Sequence, residues 1–151
     1  RALQRKRDRD EMVEDFAAAV QFVRRHPDCT GKVGAVGFCF GGGMSMRLAV
    51  RLPDLAASVA FYGRHPEPAE AAAIRAPLLL HHAALDDRVN ATWPAFEEAL
   101  KAADGDYVNY EYADANHGFH NDTTPRYDKE SAELAWQRTT EFFVRHLELG
   151  S

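Results

Sequence analysis

The sequence predicts an α/β protein whose mostly parallel sheet of about four strands is covered by helices on both faces. Two observations predict it. A helical stretch is followed by strand and helix in repeated alternation, the order that builds a parallel sheet. The first apolar run, Lys32 to Phe38, is apolar on both faces, as a strand buried between two helical layers is.

Residues 1–25 read as a helix, with Met12, Phe16, Val20 and Val23 recurring at three- and four-residue spacing. His26-Pro27-Asp28 stops it. After the first strand a helical pattern runs from Met44 to Arg51, and Pro53-Asp54 breaks it. Ala56 to Tyr62 is the second strand. A loop with Pro66 and Pro68 and an Ala-rich stretch lead to the third, Leu78-Leu79-Leu80-His81-His82. Asn90 or Thr92 is placed to cap the next helix, with Pro94 in its first turn, Phe96 and Leu100 inward, and Gly105 at its end. Tyr107 to Tyr112 alternates as a fourth strand. Asp114 to Asp122 is a polar loop, and 127–147 is a closing helix with Leu134, Phe142 and Leu147 on its apolar side.

At 151 residues the chain fits one domain spanning 1–151, with 46% hydrophobic and 27% charged residues, ordinary for a globular protein. A formal charge of −5, with no basic stripe between aromatics, argues against a nucleic-acid partner. The basic cluster Arg5-Lys6-Arg7-Asp8-Arg9 is interrupted by acid and reads as a solvated helix face. No apolar stretch is long enough to span a membrane, and no signal peptide is visible. Two cysteines make no disulfide framework, so a reducing cytoplasm is the expected compartment. The first residue is Arg1, already in helical sequence, as expected of a fragment or processed product.

Between the first strand and its helix stands Gly37-Phe38-Cys39-Phe40-Gly41-Gly42-Gly43. A thiol with Gly two residues before and two after has the form of a nucleophile elbow, with Cys where Ser is usual. Such a turn strains the nucleophile's backbone, and the flanking glycines avoid collision. The following helix aims free N–H groups at the sulfur, which favours the thiolate, and the Phe40 N–H is available to an oxyanion. A buried structural Cys beside a Gly-rich turn is the competing reading. Cys29 lacks the elbow context and reads as structural.

A nucleophilic Cys needs a base within hydrogen-bond reach, and the base needs an orienting acid. The loop after the third strand offers Asp86 and Asp87. Val89, as an anchor, turns Asp86 inward, and Asp87 with Arg88 reads as a solvated pair. The loop after the fourth strand offers His117 and His120. Gly118-Phe119 lets the chain turn tightly after His117, and His120 is the alternate. His81 and His82 read as core histidines; His26, His65 and His146 lie away from the strand ends. The histidine spacings match no zinc pattern, so no metal is expected. The order Cys, Asp, His is that of an α/β-hydrolase triad, each member just past a separate strand.

These residues resemble the dienelactone hydrolase (carboxymethylenebutenolidase) family of α/β-hydrolases. The carriers are Gly37 to Gly42, Leu85-Asp86-Asp87-Arg88-Val89-Asn90, and Asn116-His117-Gly118-Phe119-His120-Asn121-Asp122, with Ala135-Trp136-Gln137-Arg138-Thr139 and Phe142-Phe143 near the end. The resemblance runs from about residue 10 to 148 and covers the C-terminal part of family members. It implies an α/β-hydrolase-type sheet truncated of its N-terminal strands. Those strands would bring a second oxyanion-hole N–H, a glutamate facing the thiol and part of the pocket. It also implies Cys39 as nucleophile, His117 as base, Asp86 as acid, ester or lactone hydrolysis, and no cofactor. Members acting on dienelactone itself place an arginine near the position of Asn121. Here Arg126 is the nearest candidate for substrate binding and Arg64 another.

The expected function is thus a thiol-dependent hydrolase of carboxylic esters or lactones, acting on a small molecule. The competing expectation is a catalytically silent half that serves in association or as a redox-responsive thiol. A sheet edge left bare at the first strand predicts a homodimer.

Overall fold

The computed structural model describes residues 7–147. Helix α1 (Arg9–Arg24) is capped by the Asp8 carboxylate, which accepts from the N–H groups of Asp10 and Glu11. Strands β1 (Gly34–Phe38), β2 (Ala57–Phe61), β3 (Leu78–Ala83) and β4 (Tyr107–Tyr112) form one sheet in the order β1-β2-β3-β4, every pair parallel. Between them run α2 (Phe40–Arg51), a 3₁₀ turn (Pro68–Ala73), the short α3 (Asp87–Asn90) and α4 (Trp93–Ala102). Helix α5 (Lys129–Leu147) closes the described chain. All carboxyl ends therefore lie along one side, where groups from different loops can meet.

Two apolar layers hold the sheet. On one face Met46, Leu48, Leu78, Leu80, Phe96 and Leu100 pack together under α2 and α4. On the other, Val59, Phe61, Leu79 and Phe119 meet Ala135 and Phe142 of α5. The central strands β2 and β3 are buried at every position. Strand β1 is not: it is an edge among the described residues, and Val36 and Phe38 are 41% and 38% exposed.

Several expected boundaries and faces shift. Residues 1–6, in the expected first helix, lie outside the described residues. Helix α1 buries Val13, Ala17 and Val20, while Phe16 and Val23 are exposed. It packs on α2 rather than on the sheet, tied by Arg51 to Glu14 and by Arg24 to Asp54. The overlapping stripe of smaller residues suits that close helix–helix contact. In α5 the inward face is Ala132, Ala135, Thr139 and Phe142, and Leu134 is exposed. Helix α2 begins at Phe40, four residues before the expected Met44. Helix α4 ends at Ala102 because Asp104, rather than Gly105, takes the left-handed conformation (φ 54°), and Gly105 N–H then bonds Leu100 O at 2.8 Å.

Candidate active site

Cys39 stands between β1 and α2 with φ 55° and ψ −115°, a left-handed conformation that costs a non-glycine residue about 1–3 kcal/mol. Its N–H bonds Phe61 O at 3.0 Å, and its carbonyl accepts from Gly43 N–H at 3.2 Å, so β2 and α2 together hold the strained turn. A side chain at Gly37 would put its Cβ 1.9 Å from Gly41 O, which no relaxation absorbs. Gly41 faces open space instead, so only one of the two flanking glycines is required by sterics; a Cβ on Gly42 would lie 2.8 Å from Phe61 O, which makes that residue the second close approach. Phe40 is the first residue of α2, so its N–H is one of the helix's unpaired donors, adjacent to the sulfur.

Asp86 caps α3 and is 6% exposed; its Oδ1 accepts from Val89 N–H at 3.4 Å. Its Oδ2 lies 2.5 Å from His117 Nδ1. His117 sits after β4, where Gly118 at φ 84° turns the chain and the wholly buried Phe119 anchors it. On the other side of the ring, His117 Nε2 is 3.0 Å from Cys39 Sγ. The structure brings Cys39, His117 and Asp86 into one hydrogen-bonded line. Tyr62, at φ 39° just past β2, packs its ring 5.1 Å from that of His117.

The alternates lie elsewhere. His120 packs between Phe38, Phe61 and Trp136, and burial lowers its affinity for a proton. Asp87 is exposed in the first turn of α3. Cys29 is half-buried in the turn after α1. Among the described residues no three His, Cys, Asp or Glu side chains converge as metal ligands.

A cleft of about 180 Å³ opens on the α2 side of Cys39, and Arg64 borders it together with Arg9, Arg47 and Arg88. Arg126 borders a second, more open cleft on the opposite side, with Phe38, Tyr62 and His120. Both arginines singled out in the sequence therefore border clefts that Cys39 also lines.

One histidine is placed where the sequence reading did not put it. His65 borders the cleft, and its Nε2 is 2.8 Å from His82 Nε2. The overlooked signal was position: His65 follows β2 by four residues, at the same sheet end as the other loops. His81 and His82 are core histidines, as expected. His81 lies 3.0 Å from both Tyr112 OH and Thr139 Oγ1, and Thr139 donates onward to Ala135 O at 2.8 Å. Burial holds His65, His81 and His82 at about 3, about 3 and about 4, so all three rings are neutral near pH 7.

Residues 1–147 match the dienelactone hydrolase family profile. The chain belongs to the dienelactone hydrolase family. A relative in Saccharolobus solfataricus, provisionally named a carboxymethylenebutenolidase, is 35% identical over 144 residues, which cover 95% of this chain and 55% of the relative. A similar protein of Yersinia pestis, provisionally given the same name, is 32% identical and 56% covered. The chain thus spans about half the length of the curated relatives it matches. Among solved structures, a dienelactone hydrolase-like promiscuous phosphotriesterase from metagenomic libraries superposes with a TM-score of 0.82 at 27% identity, covering 92% of this chain and 63% of that one. A Pyrococcus horikoshii acylaminoacyl peptidase, at 19% identity and a TM-score of 0.65, shares the α/β-hydrolase fold.

Proposed function

We propose that the chain carries the catalytic half of a thiol-dependent hydrolase of carboxylic esters or lactones. The observation that carries this reading is the line from Cys39 Sγ through His117 to Asp86, with contacts of 3.0 and 2.5 Å. His117 Nε2 takes the thiol proton as the sulfur attacks the ester carbonyl, and the Asp86 carboxylate holds Nδ1–H and stabilises the imidazolium. The Phe40 N–H donates to the oxygen that becomes negative in the tetrahedral intermediate. Collapse breaks the C–O bond, and His117 returns the proton to the departing alkoxide. The thioester is then cleaved by water, which loses its proton to His117, and the acid leaves with the thiol restored.

The arginines that border the two clefts at Cys39 support a substrate carrying negative charge. Arg64 and Arg126 are its binding candidates. No cofactor enters this chemistry. The compartment we propose is the cytoplasm; among the described residues no helix is long and apolar enough to cross a membrane. We also propose that two copies pair through the β1 edge, whose Val36 and Phe38 are exposed.

The test is hydrolysis of p-nitrophenyl acetate and its anionic succinate half-ester by the chain and by Cys39→Ala. The expected result is turnover that Cys39→Ala reduces by about 10³-fold or more, with the anionic ester preferred. Equal rates for the parent and Cys39→Ala would overturn the reading and leave a silent hydrolase half.

A further inference from the structure

His65 is only 5% exposed, yet it borders the cleft beside Cys39 and takes no part in the chemistry above. A buried imidazole needs both nitrogens matched. Its Nδ1 is 2.8 Å from Thr92 Oγ1, and its Nε2 is 2.8 Å from His82 Nε2.

The far end of this chain fixes its direction. Thr92 Oγ1 lies 2.9 Å from the Val89 carbonyl oxygen, which can only accept, so the hydroxyl proton is committed there. The hydroxyl has one proton, and His65 Nδ1–H must therefore donate to Thr92. His65 Nε2 is then the acceptor of its pair and takes the proton of His82 Nε2–H. His82 Nδ1 then carries no proton and is the acceptor nitrogen of its ring. Hydrogen bonding thus runs one way, from His82 on β3 through His65 and Thr92 into Val89.

Val89 is where the chain meets the reaction. Its carbonyl is held by Thr92, and its N–H bonds Asp86 O at 3.1 Å and Asp86 Oδ1 at 3.4 Å. The other carboxylate oxygen faces His117. A four-residue helix such as α3 has almost no stability of its own and stays where its neighbours hold it. Asn90 Nδ2, 2.9 Å from Ala83 O, ties one side of this turn to β3. The His82–His65–Thr92 chain ties the other.

We propose that His65 is a positioning residue for Asp86: through Thr92 it holds the α3 turn and so fixes the carboxylate that orients His117. The proposal rests on the Cys–His–Asp reading above. Its competitor is packing alone, since the His65 ring lies 5.3 Å from Trp93 and 5.5 Å from Phe96. His65→Phe keeps a ring there and removes both hydrogen bonds; Thr92→Val is nearly isosteric; Thr92→Ser keeps the hydroxyl.

Two readouts are taken on each variant and on the double variant His65→Phe/Thr92→Val: the iodoacetamide alkylation rate of Cys39 near neutral pH, and kcat and KM on the ester, both per folded molecule. His65→Phe and Thr92→Val are expected to slow alkylation and kcat about tenfold with KM little changed, because a carboxylate displaced by a fraction of an ångström orients the imidazole poorly. Thr92→Ser should restore both rates, and the double variant should be no slower than the worse single, as members of one chain are. Unchanged rates in both single variants, or effects that multiply in the double, would overturn the proposal. Should His65→Phe not fold, the Thr92→Val and Thr92→Ser comparison decides it, because Thr92 is only half-buried. If the parent turns over no ester while the variants still slow alkylation, the hydrolase reading fails and the positioning role stands.

Discussion

Mild acid should strongly destabilise this protein, and the reason lies in three imidazoles. His65, His81 and His82 are at most 5% exposed, and burial, ahead of every neighbouring charge, holds them at about 3, about 3 and about 4. In the unfolded chain each takes up a proton near pH 6.5. Their folded values are depressed, so between about 4 and 6.5 the unfolded state binds more protons and stability rises with pH. It is complete above about 6.5 and is lost as the pH falls through that window. At about pH 5, some 1.5 units below the unfolded value, each ring costs the fold about 2 kcal/mol at 1.4 kcal/mol per unit. The three together cost about 6 kcal/mol, against a typical total stability of about 5–15 kcal/mol. Urea unfolding at several pH values between about 7 and 5 measures this, with Trp93 fluorescence as the probe, because that ring lies 5.3 Å from His65 and 5.0 Å from His82. The unfolding free energy should fall by about 4 kcal/mol per pH unit at the acid end, the slope of three protons. A total loss below about 2 kcal/mol by pH 5 would refute the argument, since it would mean that the folded rings accept protons.

The remaining predictions concern the elbow, the line of three side chains and the sheet edge. Gly37→Ala should cost about 3 kcal/mol or more, or yield no soluble protein, because its Cβ has no room, whereas Gly41→Ala should leave the melting temperature unchanged or raised, with a cost equal to that of Gly37→Ala contradicting the packing described. Asp86→Asn should lower kcat by about 10²–10⁴-fold while the protein stays folded, and kinetics equal to the parent would remove Asp86 from the mechanism. Iodoacetamide should label Cys39 before Cys29 near neutral pH, as peptide mass spectrometry reads; the reverse order would sink the elbow assignment. Light scattering after size exclusion should give about twice the chain mass of 16.9 kDa, and a stable monomer would end the proposal of pairing through β1.

The alternation of apolar runs and helical stretches determined the architecture, because burial on both faces leaves a local signature that needs no knowledge of partners. Strand β4 falls at Tyr107–Tyr112, where the sequence placed it, and Phe96 and Leu100 are buried. The elbow, too, was legible: a glycine that a collision demands at position 37 is written into the chain itself. Which helix face turns inward was not legible. In α1 two stripes overlap, and only the contact with α2 selects Val13, Ala17 and Val20 over Phe16 and Val23. In α5 a threonine faces inward because His81 waits across the gap to donate to it, a partner 58 residues away. Gly118-Phe119 and Val89 already favour His117 over His120 and Asp86 over Asp87 in the sequence; the contacts of 2.5 and 3.0 Å that join them to Cys39 span loops far apart in the chain, as does the chain from His82 to Val89. Hydrogen bonds have directions and one proton each, so their logic closes only once every member is in place, and tertiary structure alone puts them there.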